Sequence, residues 1–109
     1  MLLEVKDKHF LENLVIESKY KPVLLYFWSS NSRVSQVALY KIADIGKDLE
    51  DSAIIGLVNA DKHKEIASMY DVKNIPTLLA LKQGKPIDRF CGVGINNEDR
   101  LISFIESSQ

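Results

Sequence analysis

The sequence contains a single cysteine, Cys91, among 109 residues. One cysteine cannot form an internal disulfide, which excludes a small secreted scaffold held together by disulfides. The N-terminal segment lacks the basic region and long apolar stretch of a signal peptide. The longest apolar runs, Val23–Trp28 and Leu78–Leu81, are far too short to span a membrane. We therefore expect a cytoplasmic protein that does not associate with membranes.

The sequence also lacks an excess of either charge, with 14 Lys and Arg against 15 Asp and Glu. Nucleic-acid binding would require a basic face, so no nucleic-acid partner is expected. Only two histidines are present, His9 and His63, and neither has a second metal-ligating residue at suitable spacing. We interpret them as surface residues and expect neither a metal nor another cofactor.

The length and the 46% apolar content fit a single domain over residues 1–109. Apolar runs bounded by turn residues predict strands at Leu2–Val5, Val23–Trp28, Ala53–Val58, Thr77–Leu81 and Pro86–Cys91. The intervening helices would be capped by Asp7, a residue within Ser29–Ser32, Asp61, and Asn96 or Asn97. The order βαβαβαββα predicts an α/β fold with a mixed five-stranded sheet and helices on both faces.

The segment Tyr70–Leu79 is the most distinctive part of the chain and reads Tyr-Asp-Val-Lys-Asn-Ile-Pro-Thr-Leu-Leu. It resembles the tyrosine, variable loop, Ile-Pro-Thr and apolar strand of thioredoxins. Further family landmarks are Phe27-Trp28, Asn59-Ala60-Asp61, Gln83-Gly84-Lys85 and Gly92, so the resemblance covers residues 1–107. It implies the thioredoxin fold, with a cis Pro76 that faces the active site.

The active-site motif is where the sequence departs from that family. The family's Trp-Cys-Gly-Pro-Cys-Lys falls on Asn31–Gln36, which places Ser32 and Ser35 at the two cysteine positions. Thiol-disulfide exchange needs an attacking thiolate and a second sulfur. A helix N-terminus contributes only ~1–2 kcal/mol, far too little to ionise an alcohol. We therefore expect no intact catalytic residue and no dithiol reductase activity.

Three other family positions have also changed. By resemblance, Tyr26 replaces the buried aspartate that assists the second thiol, Leu57 replaces the lysine facing it, and Tyr40 replaces the proline that kinks the long helix. These changes favour natural loss of the chemistry over the removal of two cysteines by mutation. The alternative stays open: a thioredoxin-type oxidoreductase serving cell redox homeostasis, whose parent carries cysteines at 32 and 35.

The resemblance further implies that an extended polypeptide binds beside Pro76, pairing with the backbone of the preceding residue, a short form of strand addition. The residues expected around this groove are Trp28, Asn31, Arg33, Val34, Ile75, Pro76, Cys91 and Gly92. The resemblance places the Trp28 N–H near Asp61. Ordinary packing and a binding role remain equally open for the Trp28 ring.

Cys91 permits a second alternative, a single-cysteine redox protein. By resemblance it lies on the groove rim, where a thiol could form a mixed disulfide with a partner or with glutathione. Arg89 is two residues away and thus on the same strand face. Against this, strand cysteines usually behave as small buried apolar residues; we expect intermediate accessibility.

Ser32 could also be considered as a hydrolytic nucleophile. Such a role needs a base within hydrogen-bond reach. The fold places His9 in the first helix and His63 at the start of the third, and neither lies beside the serine. We therefore interpret Ser32 as a helix cap.

Overall fold

A computed structural model describes the whole chain, Met1–Gln109. Its five strands are β1 (Leu2–Glu4), β2 (Val23–Trp28), β3 (Ile54–Asn59), β4 (Thr77–Lys82) and β5 (Lys85–Cys91). They form one sheet in the order β1-β3-β2-β4-β5. β3 pairs in parallel with β1 and β2, whereas β4 pairs antiparallel with β2 and β5. The predicted mixed five-stranded sheet is confirmed.

The four helices are α1 (Lys8–Glu17), α2 (Arg33–Leu49), α3 (Lys64–Met69) and α4 (Glu98–Ser107), and a 3-10 helix at Val93–Asn96 precedes α4. Three predicted N-caps form as expected, because a side-chain oxygen accepts a backbone N–H of the first turn. These caps are Asp7 for α1, Ser32 for α2 and Asn97 for α4. The predicted order βαβαβαββα is therefore present, with one additional short 3-10 helix.

The core lies on both faces of the sheet, and β2 supplies side chains to each. Successive residues of a strand point to opposite faces. Val23, Leu25 and Phe27 pack with α1 and α3, whereas Leu24 and Tyr26 pack with α2 and α4. This arrangement explains why the whole run is apolar: burying each such side chain stabilises the fold by ~1.5–3 kcal/mol.

One local prediction was wrong. Asp61 does not cap α3; His63 occupies the N-cap position and makes no side-chain hydrogen bond there. In β5, Lys85–Arg89 are all exposed. β5 lies at the edge of the sheet, and only Phe90 of this strand packs against the core.

None of the four helices is long and apolar enough to cross a membrane.

Candidate functional site

The turn between β2 and α2, residues 29–35, is called the serine turn below. Ser35 is fully buried. Its hydroxyl accepts the Ser29 N–H at 3.1 Å and shares its proton between the Ser29 and Ser32 carbonyl oxygens, at 3.0 and 2.8 Å. The Ser32 hydroxyl accepts the Ser35 N–H at 3.2 Å. Both serines therefore hold the turn closed on its own backbone.

Tyr26 lies directly beneath the serine turn. Its hydroxyl donates to the Ser35 carbonyl oxygen at 2.7 Å, and the side chain is fully buried. Burial raises the pKa of Tyr26 above its ordinary value, because desolvation penalises the phenolate. On the neighbouring strand its register partner is Leu57. Neither position therefore carries the carboxylate or the ammonium group that the family resemblance implies there.

Asp61 anchors the start of the serine turn. Its carboxylate accepts the Ser29 hydroxyl, 3.0 Å from each oxygen, and the Ser30 N–H and hydroxyl at 3.1 and 3.0 Å. The hydrogen bond from Ser29 is the main reason that the pKa of Asp61 lies below its ordinary value. The Trp28 N–H does not donate to this carboxylate. In the sequence, the two consecutive serines after Trp28 were the signal that could have revealed the bonds to Asp61.

The opposite side of the site is built around the Ile75–Pro76 peptide bond, which is cis. The Gly92 N–H donates to the Pro76 carbonyl oxygen at 2.9 Å, joining the loop after β5 to the start of β4. Neither the N–H nor the C=O of Ile75 has a hydrogen-bond partner in the protein. A β-carbon added at Gly92 would meet no atom within 4 Å, so the space beside this backbone is open. Ile75, Pro76, Cys91 and Gly92 form what we call the cis-proline groove.

Cys91 is exposed, and so more accessible than the intermediate accessibility that was expected. It pairs with Thr77 across β4 and β5, and the Thr77 hydroxyl lies 3.5 Å from its sulfur. The Arg89 guanidinium donates to the carbonyl oxygens of Tyr70 and Asp71, at 2.9 and 3.2 Å. The arginine is therefore engaged with the loop after α3, and the sulfur is accessible from solvent.

The remaining predicted groove residues are placed differently. Asn31 is exposed, and its N–H donates to the Ser29 hydroxyl at 3.1 Å. The Val34 carbonyl oxygen accepts the Asn96 side-chain amide at 3.4 Å. Trp28 and Arg33 line a separate cavity along α2. The structure thus divides the eight predicted residues between the cis-proline groove, the serine turn and the flank of α2.

No group of three or more His, Cys, Asp or Glu residues in the protein could hold a metal ion. His9 lies 3.8 Å from Glu12 on the exposed face of α1. His63 is partly buried at the N-cap of α3. The Ser32 hydroxyl accepts the Ser35 N–H and forms no hydrogen bond with either histidine.

A central β2 flanked by parallel and antiparallel partners, with a helix opening at its end beside a cis-proline, defines a protein of the thioredoxin fold. The chain belongs to the thioredoxin family, whose family model matches residues 1–107. It is 33% identical to the thioredoxin of Rickettsia bellii over 108 residues, which covers 99% of both chains. It is 35% identical to the thioredoxin of Chlorobaculum thiosulfatiphilum over 89 residues, covering 82% of this chain and 81% of that one.

Among solved structures, the X-ray structure of Fasciola hepatica thioredoxin superimposes with a TM-score of 0.86 at 26% identity and covers all of both chains. The similarity therefore extends over the whole sheet and all four helices. The similarity shows the fold and the family, whereas the activity depends on the residues of the site.

Proposed function

We propose that this protein is a redox-inert, single-domain member of the thioredoxin family that binds an extended polypeptide in the cis-proline groove. The observation that carries the proposal is the unpaired backbone of Ile75. An extended chain laid beside it could donate to its C=O and accept from its N–H, as an added strand does. The open space at Gly92 leaves room for that chain.

The serine turn supports the redox-inert part of the proposal. A dithiol reaction needs two sulfurs, and the turn has none. Ser35 is buried and its hydroxyl bonds to three backbone groups of the turn. These contacts give it a structural role that replaces the chemical one.

Tyr26 supports natural loss of the chemistry over a recent exchange of two cysteines. Its hydroxyl reaches the Ser35 carbonyl oxygen at 2.7 Å. The position that carries a carboxylate in the family is thus filled by a side chain fitted to the backbone of α2. The proposal includes a cytoplasmic location, where Cys91 would remain a free thiol.

The test is a titration of isotope-labelled protein with the synthetic hexapeptide acetyl-Thr-Val-Thr-Gly-Thr-Val-amide, followed by the backbone amide signals. We expect saturable shifts at Ile75 and Gly92, with affinity in the millimolar to micromolar range given the few contacts available. The exposed Cys91 supplies a way to block the groove. Alkylation with N-ethylmaleimide should be rapid in the native protein and should abolish the shifts.

Cys91→Ser is the matched control, because it leaves the groove open to the peptide and gives the maleimide nothing to react with. Its titration should be unchanged by the reagent. Shifts that avoid Ile75, or that survive alkylation of Cys91, would contradict binding in the groove. Slow alkylation until the protein is unfolded would contradict the accessibility of that rim.

A further inference from the structure

A second concave surface runs along one flank of α2. This α2 cavity has a volume of about 570 Å³ and is lined by Trp28, Arg33, Gln36, Val37, Leu39 and Tyr40. Arg33, Val37 and Tyr40 follow one another at intervals of four and three residues, which places them on one face of the helix. No residue of the cis-proline groove lines it, so it is a distinct surface.

The α2 cavity contains exposed apolar side chains. Tyr40 is 75% and Val37 47% exposed, and the Trp28 ring is partly buried beside them. An exposed apolar cluster bordered by polar groups is typical of an interaction surface. Tyrosine and tryptophan are also the residues that contribute most to binding energy at such surfaces.

Two of the positions at which the chain departs from the family's motif converge on this cavity. Arg33 stands where the motif has glycine, and Tyr40 where the family has the proline of the long helix. Gln36 stands where the motif has lysine, so the cation of this surface lies at position 33 instead of 36, and Tyr40 adds a second aromatic ring to that of Trp28. The substitutions that remove both cysteines from the serine turn are thus accompanied by substitutions that change the side chains lining the α2 cavity.

The polar groups of the cavity favour an anionic ligand. The Arg33 guanidinium forms no ion pair; the only ion pairs in the protein are His9 with Glu12 and Lys73 with Asp71. The Trp28 N–H is likewise free of any hydrogen-bond partner, since Asp61 is bonded to the serine turn instead. No carboxylate lines the cavity. The cavity therefore offers a cation, Arg33, with no carboxylate among its lining residues.

We propose that the α2 cavity binds an acidic segment of a partner protein. A large apolar side chain packs against Trp28, Val37 and Tyr40, and a neighbouring carboxylate pairs with Arg33, whose planar guanidinium matches that group. This site is independent of the cis-proline groove and stands whether or not the groove binds a polypeptide.

The test uses the tetrapeptide acetyl-Asp-Phe-Leu-Glu-amide, titrated to about 10 mM because so short a ligand supports only millimolar affinity. Trp28 is the only tryptophan, so its indole N–H signal reports directly on the cavity. We expect a saturable shift of that signal. Neither the uncharged acetyl-Asn-Phe-Leu-Gln-amide nor the acidic acetyl-Asp-Gly-Gly-Glu-amide should saturate in the same range.

Arg33→Glu and Tyr40→Ala should each weaken binding about fivefold or more, the first through charge and the second through lost contact. The matched controls are Lys47→Glu, at the far end of the same helix, and Tyr20→Ala, an exposed tyrosine after α1; both should leave the affinity unchanged. Alkylation of Cys91 should also have no effect, which separates this site from the groove. No shift at Trp28, or equal loss in the control variants, would overturn the proposal.

Discussion

The two sides of the site differ in how their backbone groups are satisfied. In the serine turn, the hydroxyl of Ser35 bonds to the Ser29 N–H and to carbonyl oxygens of the same turn. In the cis-proline groove, the N–H and C=O of Ile75 have no partner in the protein. One side is complete without a ligand and the other is not. This difference is the basis of the proposal that the serine turn is redox-inert and that the groove binds a polypeptide.

The largest effect is expected from restoring sulfur to the serine turn. Wild-type protein should leave insulin reduction by dithiothreitol at its uncatalysed rate. Ser32→Cys with Ser35→Cys should form a disulfide, because both positions keep their place at the start of α2. Turnover should remain poor, since the buried hydroxyl of Tyr26, whose pKa is raised by burial, cannot assist the second thiol.

Adding Tyr26→Asp to that double variant is the test of this reasoning, and it should raise the rate of insulin reduction. A double variant that matches an ordinary thioredoxin without it would show that Tyr26 does not limit the reaction. Clear acceleration by the wild-type protein would contradict the redox-inert assignment altogether.

The next largest effect is expected from removing a hydrogen-bonding hydroxyl from the serine turn. Ser35→Ala removes the acceptor of the buried Ser29 N–H and should lower the free energy of unfolding by ~1–3 kcal/mol. Ser107→Ala is the control, because that hydroxyl also bonds to a backbone carbonyl but is exposed. It should cost well under 1 kcal/mol. Urea denaturation of both variants measures the difference; equal costs would mean that the turn's hydrogen bonds add no stability.

A smaller effect is expected from a substitution in the cis-proline groove. Gly92 has φ 81° and ψ −163°, a conformation that is essentially confined to glycine. Gly92→Ala should therefore destabilise the protein by ~1–2 kcal/mol although its β-carbon would touch nothing. Val93→Ala, at the exposed neighbouring residue, should be nearly neutral. A neutral Gly92→Ala would indicate that the loop relaxes without strain.

The smallest effect concerns the pH response of the serine turn. Because the pKa of Asp61 lies below its ordinary value of 3.8, its contribution to stability is present above that value and is lost as the pH falls through the folded-state pKa. Ser29→Ala removes the main cause and should raise the pKa of Asp61. The carboxylate signal in an NMR pH titration measures it. An unchanged pKa would assign the shift to Ser30 and to the charge of Lys64 instead.

Much of the fold could be predicted because its signals are local. The run Val23–Trp28 is apolar throughout since both faces of β2 are covered, and Asp7, Ser32 and Asn97 cap helices through bonds that span three residues. The family motif then located the cis-proline and the two serines. These features depend on neighbours in the sequence or on a distinctive segment.

What could not be predicted depends on contacts between distant residues. Aspartate is a common helix N-cap, but the carboxylate of Asp61 accepts hydrogen bonds from Ser29 and Ser30, some thirty residues earlier. The bond from Tyr26 to Ser35 joins a strand to a helix and leaves no trace in either segment alone. The α2 cavity likewise requires the Trp28 ring to lie against a helix face whose exposure the sequence pattern does not reveal.

The central claim rests on the open backbone of Ile75, and hydrogen exchange measures that most directly. In the free protein the Ile75 amide should exchange at least about 100-fold faster than the amide of Leu78 in the centre of the sheet, since only the latter lies within a strand ladder. Saturating hexapeptide should slow exchange at Ile75 about tenfold or more and leave Leu78 unchanged. An Ile75 amide that is already protected in the free protein, or that the peptide does not protect, would contradict the account.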